Sequence, residues 1–110
     1  MKRFTIELLQ ETMDFLDEIE KPAAKKILYN LKLSETTMDS DLFKKIDDNL
    51  WEFRTIYNNK KYRLFAFWDK RDNRNTLVVC ANGFVKKTQK TPSREIKKAM
   101  KIMSEYFSSD

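Results

Sequence analysis

The 110-residue chain contains no histidine, one cysteine and one glycine. Without histidine, a His-based triad or a histidine-pair nuclease is excluded, because histidine is the side chain that ordinarily titrates near neutral pH. The lone Cys80 can form neither a zinc cluster nor an internal disulfide. A single glycine also excludes a Gly-rich phosphate loop. Any catalysis must therefore use Lys, Arg, Tyr, Asp or Glu.

Long apolar runs are also missing from the sequence. No stretch is long enough to span a bilayer, and the N-terminal residues lack the apolar centre of a signal peptide. We therefore expect a cytoplasmic protein with no membrane partner. The sequence is 41% apolar and 13% aromatic, which is enough to bury one core, so residues 1–110 are predicted to form one domain.

Charge is distributed unevenly between the two halves of the chain. Residues 1–48 hold 8 Lys or Arg and 11 Asp or Glu, a net charge of −3, whereas residues 49–110 hold 14 and 6, a net charge of +8. The basic half indicates a polyanionic partner such as nucleic acid, and we expect the acidic half to face away from it. Charge alone leaves the partner open, because small soluble proteins often carry a modest positive charge.

Apolar periodicity predicts an α+β domain with the element order β-α-α-β-β-β-α. The predicted elements are a strand at 3–7, helices at 8–20 and from Pro22, one helical turn at 42–46, strands at 50–57, 62–68 and 76–85, and a final helix capped by Thr91 with Pro92 as its first residue. The two first helices would form an αα-hairpin, with apolar stripes at Leu9, Met13, Leu16 and Ile19 and at Ala24, Ile27, Leu28 and Leu31.

We expect a mainly antiparallel sheet, with turns at 58–61 and 69–75, helices on one face and the other face open. Gly83 indicates a bulge or a close backbone approach.

Strand parity places two arginines on one face of the predicted hairpin. A two- or four-residue turn at 58–61 pairs Tyr57 with Tyr62 and sets Arg54 and Arg63 on the same face. That face also holds Glu52, Phe65 and Phe67, and the opposite, core face holds Trp51, Phe53, Leu64, Ala66 and Trp68. Two arginines can hold a phosphate by paired hydrogen bonds. The alternative is an ordinary solvated face on which Glu52 neutralises one arginine.

A second basic constellation lies between the last strand and the final helix. Lys86, Lys87 and Lys90 fall within five residues, beside the start of a helix, where anions are favoured. A basic stripe follows on the helix, at Arg94, Lys97, Lys98 and Lys101. The alternatives are a solubilising loop and a solvated helix face. Tyr57, Tyr62 and Tyr106 are candidates for stacking on nucleic-acid bases.

These basic segments resemble the RelE/ParE toxin superfamily, and most closely its HigB-like, phage-related branch. The residues that carry the resemblance are Leu50-Trp51-Glu52-Phe53-Arg54, Tyr62-Arg63-Leu64, Asn82-Gly83-Phe84-Val85-Lys86-Lys87-Thr88-Gln89-Lys90-Thr91-Pro92, Glu95-Ile96 and Ala99. The Phe-x-Lys-Lys-Thr-x-Lys-Thr-Pro run is the most specific part, and the resemblance covers nearly the whole chain.

The resemblance implies a RelE-like fold and the toxin of a type II toxin–antitoxin pair. Such toxins bind the ribosomal A site and cut mRNA without a metal or other cofactor, by attack of the 2′-OH on the adjacent phosphate. A helix-turn-helix, HigA-like antitoxin neutralises the HigB-like branch. The toxin then meets operator DNA only through the antitoxin complex. We expect the antitoxin to dock on the helices or on the basic face.

The resemblance also implies roles for individual residues. Arg63 would stabilise charge on the phosphate, and Arg54 would position the phosphate or the mRNA. Lys86 would join them in the catalytic site, with Lys87 contacting mRNA or ribosomal RNA. Further RNA contacts are expected at Lys90, Arg94, Tyr62 and Tyr106. The missing histidine departs from HigB-like members that place one near the site, and it leaves the general base unassigned.

Two other functions remain open on the sequence. One is a ParE-like toxin that binds DNA gyrase without enzymatic activity, because a shared fold does not fix the chemistry. The other is an inactive, phage-derived module that binds nucleic acid. If Arg54 or Arg63 lies buried beneath core side chains instead of on an open concave face, the site assignment is wrong.

Overall fold

Eight elements follow one another along the part of the chain that the computed structural model describes, residues 2–71 and 76–109. They are β1 (Thr5–Leu8), α1 (Gln10–Glu18), α2 (Lys21–Ser34), β2 (Phe43–Lys45), β3 (Trp51–Tyr57), β4 (Lys60–Asp69), β5 (Leu77–Lys86) and α3 (Ser93–Ser108). The α+β class is confirmed. The predicted turn at 69–75 lies partly outside the described residues.

The strands form one mixed sheet in the order β1-β5-β4-β3-β2, in which only the β1–β5 pair is parallel. The helical turn predicted at 42–46 is wrong, because Phe43–Lys45 is the edge strand β2. Phe43 pairs with Phe53 and stacks on its ring at 4.2 Å, and that tertiary contact outweighs the local helical pattern.

The β3–β4 turn is shorter than the longest turn that the sequence allowed. Asn58 and Asn59 alone form it, both with positive φ, as a two-residue turn with left-handed backbone requires. Tyr57 therefore pairs with Lys60 instead of Tyr62. The shift is two residues, so side-chain parity is unchanged and the predicted division of the two faces is confirmed.

The helical hairpin packs on the face formed by Phe53, Leu64 and Cys80. Its buried stripe on α2 consists of Ala23, Ile27, Leu31 and Ser34. Leu28 was predicted to be in this stripe but is 47% exposed, because the four-residue spacing starts one position earlier, at Ala23. On α1, Thr12 is buried and Met13 is exposed, so Met13 is wrong in the predicted stripe. Leu16 and Ile19 pack against the hairpin-face core as predicted.

The opposite face is covered in part by α3. Ile96, Ala99 and Met103 pack over Phe65 and Phe67, so the expectation that all helices lie on one face is wrong. The helix begins at Ser93 after Pro92, one residue later than predicted, and Thr91 does not cap it. None of the helices in the described part of the chain is long and apolar enough to cross a bilayer.

The only glycine of the chain is explained by a close approach of α1 to β5. A Cβ atom at Gly83 would lie 2.3 Å from Cδ2 of Phe15 and 2.7 Å from Cδ2 of Leu64. The predicted close approach is therefore confirmed. The β-bulge lies two residues earlier, at Ala81, where the register with β4 shifts between Phe65 and Ala66.

Candidate functional site

Charged side chains form a ladder across the sheet face that carries α3. The three rows, each read from β3 through β4 to β5, are Glu52–Phe65–Asn82, Arg54–Arg63–Phe84 and Ile56–Lys61–Lys86. Arg54 and Arg63 are thus directly opposite each other, as their predicted common face requires. Ile56 and Lys61 are exposed, so the third row lies beyond the cover of α3. We call these three rows the basic ladder.

A buried carboxylate holds the two arginines together. Oε1 of Glu52 accepts a hydrogen bond from Nε of Arg54 at 2.9 Å and lies 3.5 Å from Nε of Arg63. Nη1 of Arg63 also donates to the Tyr62 carbonyl at 3.2 Å. Burial lowers the pKa of Arg63, while Glu52 raises it and Arg54 lowers it. Both guanidinium groups remain charged because arginine is not deprotonated in proteins, so the cluster carries one net positive charge.

The two arginines differ in their access to solvent. The Arg54 side chain is 30% exposed, whereas the Arg63 side chain is 7% exposed. The expectation that both arginines lie on an open face is therefore wrong for Arg63. Its Nε has no hydrogen-bond partner among the described residues. A ligand that reaches this face would touch Arg54 first, and Arg63 would act through its charge from beneath.

A groove of about 430 Å³ lies at the edge of β3, along the part of that strand that β2 does not cover. Arg54 and Arg63 line it. Lys26 and Asn30 of α2 line its other side. Nζ of Lys26 donates to the Ile56 carbonyl, and Nδ2 of Asn30 donates to Oγ1 of Thr55 at 3.0 Å. Sequence reasoning missed Lys26. The available signal was the composition of α2, which has four lysines and no acidic residue within the acidic half.

A second groove, of about 560 Å³, lies beside the third row of the basic ladder. Lys60, Lys61, Lys86 and Lys87 line it, and none of the described lining residues is acidic. Lys86 is half-buried, whereas Lys87, Lys90 and Arg94 are exposed. The structure therefore brings Lys86 next to the arginine row and places Lys87 in the same groove. Nζ of Lys60 also lies 3.8 Å from Oε2 of Glu20, so the positive charge that makes this groove attractive to anions comes mainly from the other three lysines.

Two of the predicted RNA-contacting residues lie away from the basic ladder. Tyr62 is 3% exposed and points to the hairpin face, where its ring lies 6.5 Å from that of Phe15. A ring buried there cannot stack on a base. Tyr106 lies on α3, and its hydroxyl donates to Oδ2 of Asp69 at 2.7 Å. Burial and this hydrogen bond raise the pKa of Tyr106 to about 12.

Other chemistry is limited among the residues that the structure describes. Within residues 2–71 and 76–109, no group of three or more Cys, Asp or Glu side chains converges as metal ligands. Cys80 is buried, and burial raises the pKa of its thiol, which makes it a poor nucleophile. The charged groups that approach each other most closely on an accessible face are those of the basic ladder.

The fold and this surface define a small α+β protein with a basic sheet face. The family model of phage-derived Gp49-like proteins (DUF891) matches residues 14–104, and the chain belongs to that family. The family is part of the RelE/ParE-like toxin superfamily, so the resemblance is confirmed at that level. No curated protein matches the chain. The match runs from α1 into α3 and includes every charged residue of the basic ladder.

Proposed function

We propose that this protein is the toxin of a type II toxin–antitoxin pair and that it cuts mRNA on the ribosome. The observation that carries the proposal is the basic ladder, which sets Arg54 opposite Arg63 and Lys61 opposite Lys86 on neighbouring rows of one sheet face. Adjacent rows on one face are about 7 Å apart, so one phosphate and its neighbour can meet both rows.

The reaction uses a nucleophile that belongs to the RNA. The 2′-hydroxyl gives its proton to solvent as its oxygen attacks the adjacent phosphorus, and the bond from phosphorus to the 5′-oxygen of the next nucleotide breaks. The products are a 2′,3′-cyclic phosphate and a 5′-OH. The protein must hold the phosphate in line, stabilise the developing negative charge and move a proton.

The charged residues divide this work according to their exposure. Arg54 donates hydrogen bonds to the phosphate, because it is the more accessible arginine. Arg63 adds a fixed positive charge beneath it, where low polarity strengthens the electrostatic effect. Lys86 contributes charge from the next row and is the proposed donor of the proton that the leaving 5′-oxygen takes up. Cationic side chains supply the stabilisation, so the proposal needs no metal.

The remaining basic residues position the RNA. Lys87 lines the lysine-lined groove, and Lys90 and Arg94 are exposed on the segment that follows it in the chain. All three would contact mRNA or ribosomal RNA. Tyr62 and Tyr106 are left out of this contact set because their rings are engaged elsewhere. A helix-turn-helix antitoxin remains the proposed partner, with the complex as the form that meets operator DNA.

The test is mRNA cleavage in a purified translation system by the wild type and the variants Arg54→Ala, Arg63→Ala and Lys86→Ala. Lys32→Ala is the control, because Lys32 is an exposed lysine near the end of α2 and lines a different groove, with Tyr29 and Glu35, that contains no residue of the ladder. We expect cuts only in translated message and a loss of about 100-fold or more for Arg54→Ala. Cleavage that survives all three substitutions would remove the ladder from the site.

One observation favours a non-enzymatic toxin as the second candidate. Glu52 already neutralises one arginine, and Arg63 is buried, which fits a surface that binds a target without chemistry. If well-folded wild type cuts no message but still arrests growth, DNA supercoiling by purified gyrase should be measured next. Inhibition there, lost in Arg54→Ala, would support the ParE-like alternative.

A further inference from the structure

A third groove, of about 680 Å³, lies at the opposite end of the sheet from the lysine-lined groove. It is formed where the loop between β2 and β3 meets the end of β4 and the C-terminal half of α3. Its size is typical of a site for a small organic group. We call it the end groove. Trp68 lies five residues beyond Arg63 on β4, about 17 Å along the strand, so the end groove is separate from the arginine pair.

Aromatic side chains line part of the end groove, and they reach it from both faces of the sheet. Trp51 and Trp68, the only tryptophans of the chain, line it with their ring centroids 6.0 Å apart. Phe107 lines it from α3, is 37% exposed and lies 5.4 Å from the ring of Phe67. The tryptophans reach the groove from the hairpin face, where Trp51 also stacks on Phe43 at 4.7 Å, and Phe107 reaches it from the α3 face. Their half-buried rings offer apolar surface on which a planar base can stack whatever its identity.

Positive charge surrounds this aromatic wall. Lys45 and Lys70 are exposed at the groove, and the Arg71 guanidinium lies 5.1 Å from the centroid of Phe107. Arg71 is paired with Asp69 at 3.1 Å, so the charge available to a ligand comes from the two lysines. Asp48 is the one acidic residue among the described lining residues. The ligand chemistry that fits is a planar, apolar group joined to an anion.

We propose that the end groove binds one nucleotide of a single-stranded RNA. The base lies in the groove between the tryptophan rings and Phe107, and the phosphate lies near Lys45 and Lys70. This inference goes beyond the cleavage site, because it holds whether or not the protein cuts RNA. It adds a nucleotide contact at the end of the sheet that the basic sequence segments alone did not indicate.

The two tryptophans make the test direct, because both line the groove. Tryptophan emission is followed during titration with a six-nucleotide oligoadenylate, and the single replacements Trp51→Phe and Trp68→Phe identify the reporting ring. We expect a saturable change in emission. Phe107→Ala and Lys70→Ala should weaken the apparent affinity about fivefold or more, as the loss of a stacking or phosphate contact requires.

Matched controls separate this site from others. Tyr29→Ala removes an exposed aromatic ring far from the groove, and Lys97→Ala removes an exposed lysine of α3 that does not line it. Both should leave the titration unchanged. Tryptophan emission reports the end groove and cut message reports the basic ladder, so failure of the cleavage proposal and failure of this one are distinguishable.

Three results would overturn the proposal. The first is no saturable change in emission with the oligonucleotide. The second is a change that Phe107→Ala and the charge reversal Lys70→Glu both leave intact, since both residues are accessible and their replacement leaves the core in place. The third is equal binding of ribose 5-phosphate or polyglutamate, which would show a general anion or acidic-protein site without base recognition.

Discussion

The two faces of the sheet bury their side chains in different ways. On the hairpin face, apolar rings fill the space, with Phe43 stacked 4.2 Å from Phe53 and Phe4 5.2 Å from Phe43. On the α3 face, the apolar side chains end at Phe84. Next to it, Arg63 and Arg54 form an ion cluster with Glu52. The hairpin face therefore contributes stability through apolar packing, whereas the α3 face keeps charged side chains at the cost of some stability.

The largest effect on stability should come from the hairpin face. Phe53→Ala removes a 3%-exposed ring from the aromatic cluster and leaves a cavity, so we expect the free energy of unfolding to fall by about 3–5 kcal/mol. Urea denaturation measures this change. Ile56→Ala, on the same strand but exposed on the α3 face, is the control and should cost less than about 0.5 kcal/mol. Equal losses in both variants would contradict the division between faces.

The ion cluster should be the next most sensitive position. Glu52→Gln leaves two guanidinium groups, one of them buried, without a counter-charge, and we expect a loss of about 3 kcal/mol. Glu11→Gln breaks the exposed pair with Lys98 and should cost less than about 0.5 kcal/mol. If Glu52→Gln lowers the free energy of unfolding no more than Glu11→Gln does, the buried carboxylate does not hold the two arginines together as described.

Gly83 tests how closely the hairpin approaches the sheet. Gly83→Ala forces Phe15 to move, and overpacking of this kind costs about 1–3 kcal/mol. Phe15→Leu should recover part of that loss in the double variant, because it frees the space that the new Cβ needs. Thermal unfolding of the wild type, both single variants and the double variant gives the coupling free energy between the two positions. Additive losses would mean that Phe15 is not the obstacle.

The smallest effect is expected at the end of the α3 face, where Tyr106 and Asp69 meet. The Arg71 hydrogen bond, aided by that of Tyr106 and opposed by burial, lowers the pKa of Asp69 to about 2. The folded state thus favours the charged carboxylate, so this stabilisation is present above about pH 4 and is lost as pH falls towards 2. Tyr106→Phe should cost about 1 kcal/mol at neutral pH. Asp69→Asn should flatten the stability profile across this acidic range, and an unchanged profile would contradict this assignment.

Side-chain parity allowed much of the site to be predicted from the sequence. Arg54 and Arg63 share a face because their strands alternate, and a turn error of two residues leaves that alternation intact. The same parity puts Tyr62 with Leu64 on the core face, so the sequence already held the signal against a base-stacking role for Tyr62.

Other features depend on tertiary contacts that no local pattern contains. β2 is a strand only because Phe43 pairs with Phe53 across the sheet. Arg63 is buried because Glu52, Arg54 and Phe84 surround it, which requires the register of three strands. Lys26 reaches the edge of β3 from a helix distant in sequence. The apolar stripe of α3 likewise does not show which face of the sheet this helix covers.

The central claim is that the basic ladder promotes attack by the 2′-OH of the RNA, and the chemistry of the cut ends tests it most directly. The ends of mRNA fragments from a purified translation system should be analysed for the wild type and for Arg54→Ala. The account predicts fragments with a 5′-OH and a 2′,3′-cyclic phosphate from the wild type, and none from the folded Arg54→Ala variant. Fragments with a 5′-phosphate, or undiminished cutting by Arg54→Ala, would contradict it.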